Sequence, residues 1–183
     1  SKNEVSLYFN KYESDYMKIS QANNKDNLSL TPKYGTKDNT KLGIIFNHKF
    51  DDKTQNILNF MQNKNNIKND YLSTTTSKSL YDLESININD QVNHRFDNHH
   101  LLIGGFEYTK DKINTMLSSG ENFTGISFTN KALYLQDKWS FSDKFNLTSG
   151  VRFDNHSAYG KQTNKSFTFG YDISDMTNYY IGY

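Results

Sequence analysis

Hydrophobic residues recur at every second position in short stretches along this chain. From Phe145 onward, Phe145, Leu147, Val151 and Phe153 share one parity, broken only by Ser149. Asn146, Thr148, Gly150, Arg152 and Asp154 take the other. Successive side chains of a strand point to opposite faces, so this segment has one apolar and one polar side. The same alternation places Val5, Leu7 and Phe9 together in residues 4–12, and Leu42, Ile44, Phe46 and Phe50 in 40–50. It continues with Leu58 and Phe60 in 54–63, Ile86, Ile88, Val92 and Phe96 in 80–96, and Leu102, Gly104, Phe106 and Tyr108 in 100–110. Residues 131–141, 145–155, 165–173 and 178–183 complete a set of about nine predicted strands.

The connections carry more information than the strands. Asp51-Asp52-Lys53, Asp97-Asn98-His99, Ser142-Asp143-Lys144 and residues 174–177 read as tight turns. Residues 14–39 (with the only proline, Pro32), 65–78, 112–130 and 157–164 read as long polar loops. Long and short connections therefore alternate. A membrane barrel has short turns at one rim and longer loops at the other, and crosses the bilayer with strands of roughly 9–11 residues. A soluble Greek-key sandwich has no reason to keep that parity. Phe50, Phe96, Trp139, Phe141, Phe145 and Tyr171 flank the short turns, where aromatic rings occupy a bilayer interface.

The expected fold is all-β: an antiparallel up-and-down meander forming a segment of a transmembrane β-barrel. Closed single-chain bacterial barrels have an even strand number. An open edge in lipid leaves backbone groups unpaired at several kcal/mol each. An odd count therefore suggests that residues 1–183 are a partial β-barrel domain, an open curved sheet. The opening SKNEVSLYF already reads as a strand and not as a leader.

Composition agrees. Mean hydropathy is −0.84 and only 34% of the 183 residues are hydrophobic, yet 15% are aromatic. A thin one-sided apolar band with aromatic girdles reconciles these values, whereas a disordered chain lacks aromatics. No run of 18 apolar residues offers a membrane-spanning helix. A net charge of +1 supplies no field for nucleic acid. With no cysteine, thiolate metal sites, disulfides and cysteine nucleophiles are excluded. No nucleophile elbow, phosphate loop or paired-histidine zinc motif occurs, so neither an enzyme nor a resident metal or cofactor is expected.

Tyr134-Leu135-Gln136-Asp137-Lys138-Trp139, followed by Gly150-Val151-Arg152-Phe153-Asp154, resembles a hairpin in the barrel of TonB-dependent outer-membrane receptors. Leu102–Tyr108 is similar to an earlier strand of those barrels, and Thr177–Tyr183 to a strand leading into an extracellular loop. The resemblance covers 80–183 by motif and 1–79 by pattern. It implies a 22-stranded barrel around a globular plug, importing an iron-siderophore, haem or cobalamin with energy from the TonB protein. Partners would be outer-membrane lipid, the plug and the remaining strands of the same receptor. A small self-contained outer-membrane barrel acting as adhesin, anchor or pore is the alternative.

Glu107, Gln136, Arg152 and Asp154 share the inward parity. They would line the lumen, either pairing across strands or facing the plug. Tyr16, Tyr34, Tyr71, Phe123, Phe128 and Tyr159 fall in predicted outer loops, where they would stack on a ligand or on one another. His156 tops a strand beside Tyr159 and is the one histidine placed to meet an outside ligand such as haem. His94, His99 and His100 cluster at a tight turn on the opposite rim. His48 reads as a polar interruption in an apolar row.

Overall fold

A backbone N–H or C=O in hydrocarbon has no water partner, so a strand can cross a membrane only with its ladder bonds made. The computed structural model answers this with one sheet. It describes residues 2–24, 27–71, 77–117, 120–174 and 177–183, without the side chains at 19–24, 27–33, 71, 77, 173–174 and 177–178. The strands are β1 (Lys2–Asn24), β2 (Asn27–Lys49), β3 (Thr54–Tyr71), β4 (Ser77–Arg95), β5 (His100–Met116), β6 (Asn122–Ser140), β7 (Phe145–His156), β8 (Gly160–Ser174) and β9 (Thr177–Gly182). They lie side by side in chain order, each antiparallel to the next. The sheet stays open: among the described residues, β1 and β9 each have one neighbour.

The long loops expected from hydropathy are largely strands. Residues 14–24 and 27–39 form the upper part of a tall hairpin, paired from Ser14↔Lys37 to Asn24↔Asn27. Likewise 65–71 pairs with 77–83, 110–116 with 122–129, and 160–164 belongs to β8, leaving 157–159 as the connection. At 23 residues, β1 extends about 75 Å at about 3.3 Å per residue, far beyond a bilayer crossing. Above the membrane both faces meet water, so these stretches keep the ladder while losing the apolar half of the alternation. Pro32 stands opposite Ile19 in the upper part of this hairpin, one residue beyond the last described β2–β3 pair, Lys33↔Tyr71. The asymmetry of the two rims survives as tall hairpins at one end and four-residue turns, 50–53, 96–99 and 141–144, at the other; the turn expected at 174–177 lies partly outside the described residues.

Register aligns the apolar parity across the sheet. Leu7, Ile44, Phe60, Ile88 and Tyr108 form one row; Val5, Phe46 and Leu58 begin another that passes Asp90, which accepts from Asn56 Nδ2, and goes on through Phe106, Leu133 and Phe153. The apolar set shifts toward the turn end from β1 to β8, as it must when tilted strands cross a level membrane. These side chains are not a core. Leu7 is 75% exposed and Leu133 60%, and Ala132 is the one buried hydrophobic residue among those described. A single layer gives this band no core to pack in, as on the lipid-facing side of a barrel wall.

The short turns share one device. Asp51 Oδ1 accepts from the amides of Lys53 (2.8 Å) and Thr54 (2.6 Å). Asp97 Oδ1 accepts from those of His99 and His100, both at 2.7 Å. Ser142 Oγ does the same for Lys144 (3.3 Å) and Phe145 (3.1 Å). These turns lie outside the apolar band, and the Lys53 and His99 amides, respectively, hold the Asp51 and Asp97 carboxyls below the ordinary 3.8. Because the folded values are depressed, this stabilisation is present above pH 3.8 and is lost as pH falls through the folded values. Amide exchange at residues 53, 54, 99 and 100 should therefore accelerate below that pH more than exchange within the strands. Asp51→Asn and Asp97→Asn should remove that extra acceleration.

Candidate functional site

On the polar face of β5 to β8, three successive rows build a continuous patch. Gly105, Tyr134, Arg152 and Asn164 form the first, Glu107, Ala132, Asp154 and Gln162 the second, and Thr109, Asn130, His156 and Gly160 the third. Ala132 is the small residue in the middle, so the long side chains on either side close over it and leave it 2% exposed. Arg152 bridges the gap. Its Nη1 and Nη2 donate to the two Glu107 oxygens at 3.3 Å each, and its Nε donates to both oxygens of Asp154 at 3.1 Å. The two-pronged contact to Glu107 uses the planar fork of the guanidinium. Asn130 Nδ2 and Asn164 Nδ2 add donations to Asp154 at 3.0 and 3.4 Å.

Tyr134 is fixed by its neighbours. The Arg152 guanidinium carbon lies 6.0 Å from its ring centre, within cation–π range. Its hydroxyl donates to Gln91 Oε1 (3.2 Å) and accepts from Asn89 Nδ2 (3.4 Å). The ring crosses Gly105, where a Cβ would sit 2.5 Å from both the Asp90 carbonyl and the Tyr134 hydroxyl. Tyr134, Glu107, Gln136 and Arg152 line an open hollow of about 660 Å³.

One step above lies an aromatic shelf. Phe128 stacks on His156 at 6.1 Å between centroids, and the Tyr159 ring lies 4.7 Å from the imidazole. His156 Nδ1 accepts from the amides of Ala158 (3.1 Å) and Tyr159 (3.3 Å), repeating the turn device of the opposite rim. Gly160, at φ +78°, takes the left-handed position that closes the three-residue turn. Nδ1 is therefore an acceptor and the neutral ring carries its proton on Nε2. Tyr159 is 89% exposed and open to a ligand.

The candidates thus divide. Glu107, Arg152 and Asp154 come together, with Gln136 in the same hollow, and Phe128, His156 and Tyr159 form the shelf. Tyr16 is not in a loop: it sits on β1 over Gly35, and its hydroxyl donates to Asn69. Tyr34 lies on β2 on the apolar-parity face, paired with Met17, and Phe123 on β6 opposite Thr115, both away from the shelf. The Tyr71 side chain lies outside the described residues. Pattern reading missed Tyr134 and Asn130 as site residues, although both share the parity of Gln136. The turn-end histidines are separately engaged, His94 with Thr54 (3.0 Å), His99 with the Ser140 carbonyl (2.8 Å) and His100 with Asp137 (2.9 Å). His48 stacks edge-on against Phe50 within the girdle. Among the described residues no three such groups converge as a metal site.

The family model "TonB dependent receptor-like, beta-barrel" matches residues 3–183. Among solved structures, the chain is similar to a mutant of the ferric enterobactin receptor PfeA from Pseudomonas aeruginosa, with TM-score 0.69 and 13% identity. That match covers 98% of this chain and 30% of the other. Siderophore receptors PirA from Pseudomonas aeruginosa (TM-score 0.49, 15% identity, 94% of this chain and 38% of that one) and from Acinetobacter baumannii (0.47, 13%, 99% and 43%) also match. The chain thus spans well under half the length of these receptors. No curated protein matches it.

Two substitutions test the patch. Gly105→Ala should destabilise the folded barrel by about 1–3 kcal/mol through overpacking against the Asp90 carbonyl and Tyr134. Arg152→Ala should cost about 1–2 kcal/mol, reduced because the guanidinium side chain is 33% exposed. Urea unfolding in lipid vesicles reads both.

Proposed function

The chain belongs to the TonB-dependent receptor-like β-barrel family, and from that premise we propose that it forms one wall of an outer-membrane receptor that takes up an iron complex. The observation that carries this reading is the stacking of two different surfaces on one lumenal strip. An ion-paired polar patch around Arg152 lies directly beneath the aromatic shelf of Phe128, His156 and Tyr159. The shelf, at the tall-hairpin rim, meets ligands arriving from outside. Exposed aromatic faces favour a ligand with planar rings, as an iron-siderophore carrying aromatic groups or haem presents.

The patch below faces the plug. Its guanidinium is already committed to two carboxylates, so it offers the plug a rigid, polar wall with carboxylate acceptor capacity to spare. Residues 1–183 are a partial barrel domain in this reading. The plug, the other strands and the coupling to TonB are assigned to the rest of the receptor. No catalytic step is assigned to this wall, which positions and contains.

The test uses the full-length receptor in a strain lacking its own copy. His156→Ala/Tyr159→Ala should lower uptake of an aromatic iron-siderophore several-fold while heat-modifiable assembly of the barrel stays normal. Unchanged uptake of each offered iron complex, with normal assembly, would contradict a ligand role for the shelf.

A further inference from the structure

The apolar-parity face is not uniform above the band. On β1 to β4 its charges are mixed and partly paired: Lys64 lies 3.5 Å from Glu84, Lys78 lies 4.0 Å from Asp70, and Lys11 is followed by Glu13 and Asp15 at the same parity. On β5 to β8 the same face carries Lys110, Lys112, Lys131, Lys161 and Lys165, with no carboxylate from the Gly104–Leu135–Val151–Lys165 row up to Lys112. Register puts Lys131, Asn155 and Lys161 in one row. With adjacent strands about 4.8 Å apart, the two lysines stand about 10 Å apart at Cα. Among the described residues neither has a carboxylate within ion-pair distance. Immediately below, Phe106, Leu133 and Phe153 line a hollow of about 430 Å³ and are 37%, 60% and 53% exposed.

We propose that this hollow binds a phosphorylated lipid of the outer leaflet, its phosphates between Lys131 and Lys161 and an acyl chain against Phe106, Leu133 and Phe153. Charge and position select the occupant. Unpaired cations above an exposed apolar floor, at the upper edge of the band, match a ligand with anionic head and hydrocarbon tail. A neutral lipid leaves both ammonium groups unanswered, and a soluble anion leaves the apolar floor uncovered. The sector on β1 to β4 differs because carboxylates share its face with the lysines, and two of those, Lys64 and Lys78, are already ion-paired.

The inference rests on the outer-membrane reading above. Heat-modifiable electrophoresis separates the two: a chain that does not assemble as a barrel fails that reading, whereas an assembled barrel without lipid fails only this one. The full-length receptor, purified in mild detergent, is offered lipid A, dephosphorylated lipid A or inorganic pyrophosphate, and adducts are read by native mass spectrometry. Lipid A should bind wild type, several-fold less to Lys131→Ala/Lys161→Ala, and as well as wild type to Lys64→Ala/Lys78→Ala. Equal binding of the dephosphorylated lipid would reduce the site to an apolar groove. Full displacement of lipid A by pyrophosphate would make it a free-anion site, and undiminished binding to Lys131→Ala/Lys161→Ala would remove the lysines from it. Each of these three results overturns the proposal.

Discussion

Everything in this molecule depends on the ladder of backbone hydrogen bonds between neighbouring strands. In lipid, an unmade backbone bond costs several kcal/mol, so the strands cannot separate, slip or end within the band. Once the ladder is fixed, strand geometry leaves the side chains only two directions. A one-residue slip would send Arg152 into hydrocarbon and Phe153 into the lumen. The ladder therefore decides both where lipid may touch the protein and where chemistry may be placed.

The two faces then solve different problems. Outside, exposed residues such as Leu7 and Leu133 need no packing partners because lipid supplies them. Inside, Glu107, Arg152 and Asp154 are drawn from two strands that are not neighbours, and they meet because Ala132 on the strand between is small. Gly105 serves Tyr134 in the same way, by yielding the space over the neighbouring strand. Small residues on one strand thus let long side chains of the next organise the lumenal surface, and that surface ends at the Phe128–His156–Tyr159 shelf.

Much of this was legible from alternation alone. The strand number, the short turns and the parity of Glu107, Gln136, Arg152 and Asp154 follow from the period-2 pattern, because the membrane writes one face in apolar residues. The tall hairpins were not legible, since above the membrane both faces are polar and 14–39 looks like a loop although 14–24 pairs residue by residue with 27–37. Tyr16 therefore looks like a loop residue by pattern although it belongs to a strand. The ion-paired patch could be read only as parity, because its contacts depend on register across β5, β6 and β7. Tyr134 stood within the recognised motif, but its role depends on Gly105 of the neighbouring strand and on Asn89 and Gln91 two strands away, which no local signal links to it.

The central claim is that one face of this sheet meets lipid and the other a wet lumen. It is tested most directly by placing single spin labels along residues 145–156 of the full-length receptor in vesicles, the segment itself having no cysteine to remove. The account predicts a period-2 alternation in accessibility. Labels at 147, 151 and 153 should be reached by oxygen dissolved in lipid, and labels at 148, 152 and 154 by a water-soluble relaxation agent. Alternation of the opposite phase, or none at all, would contradict it.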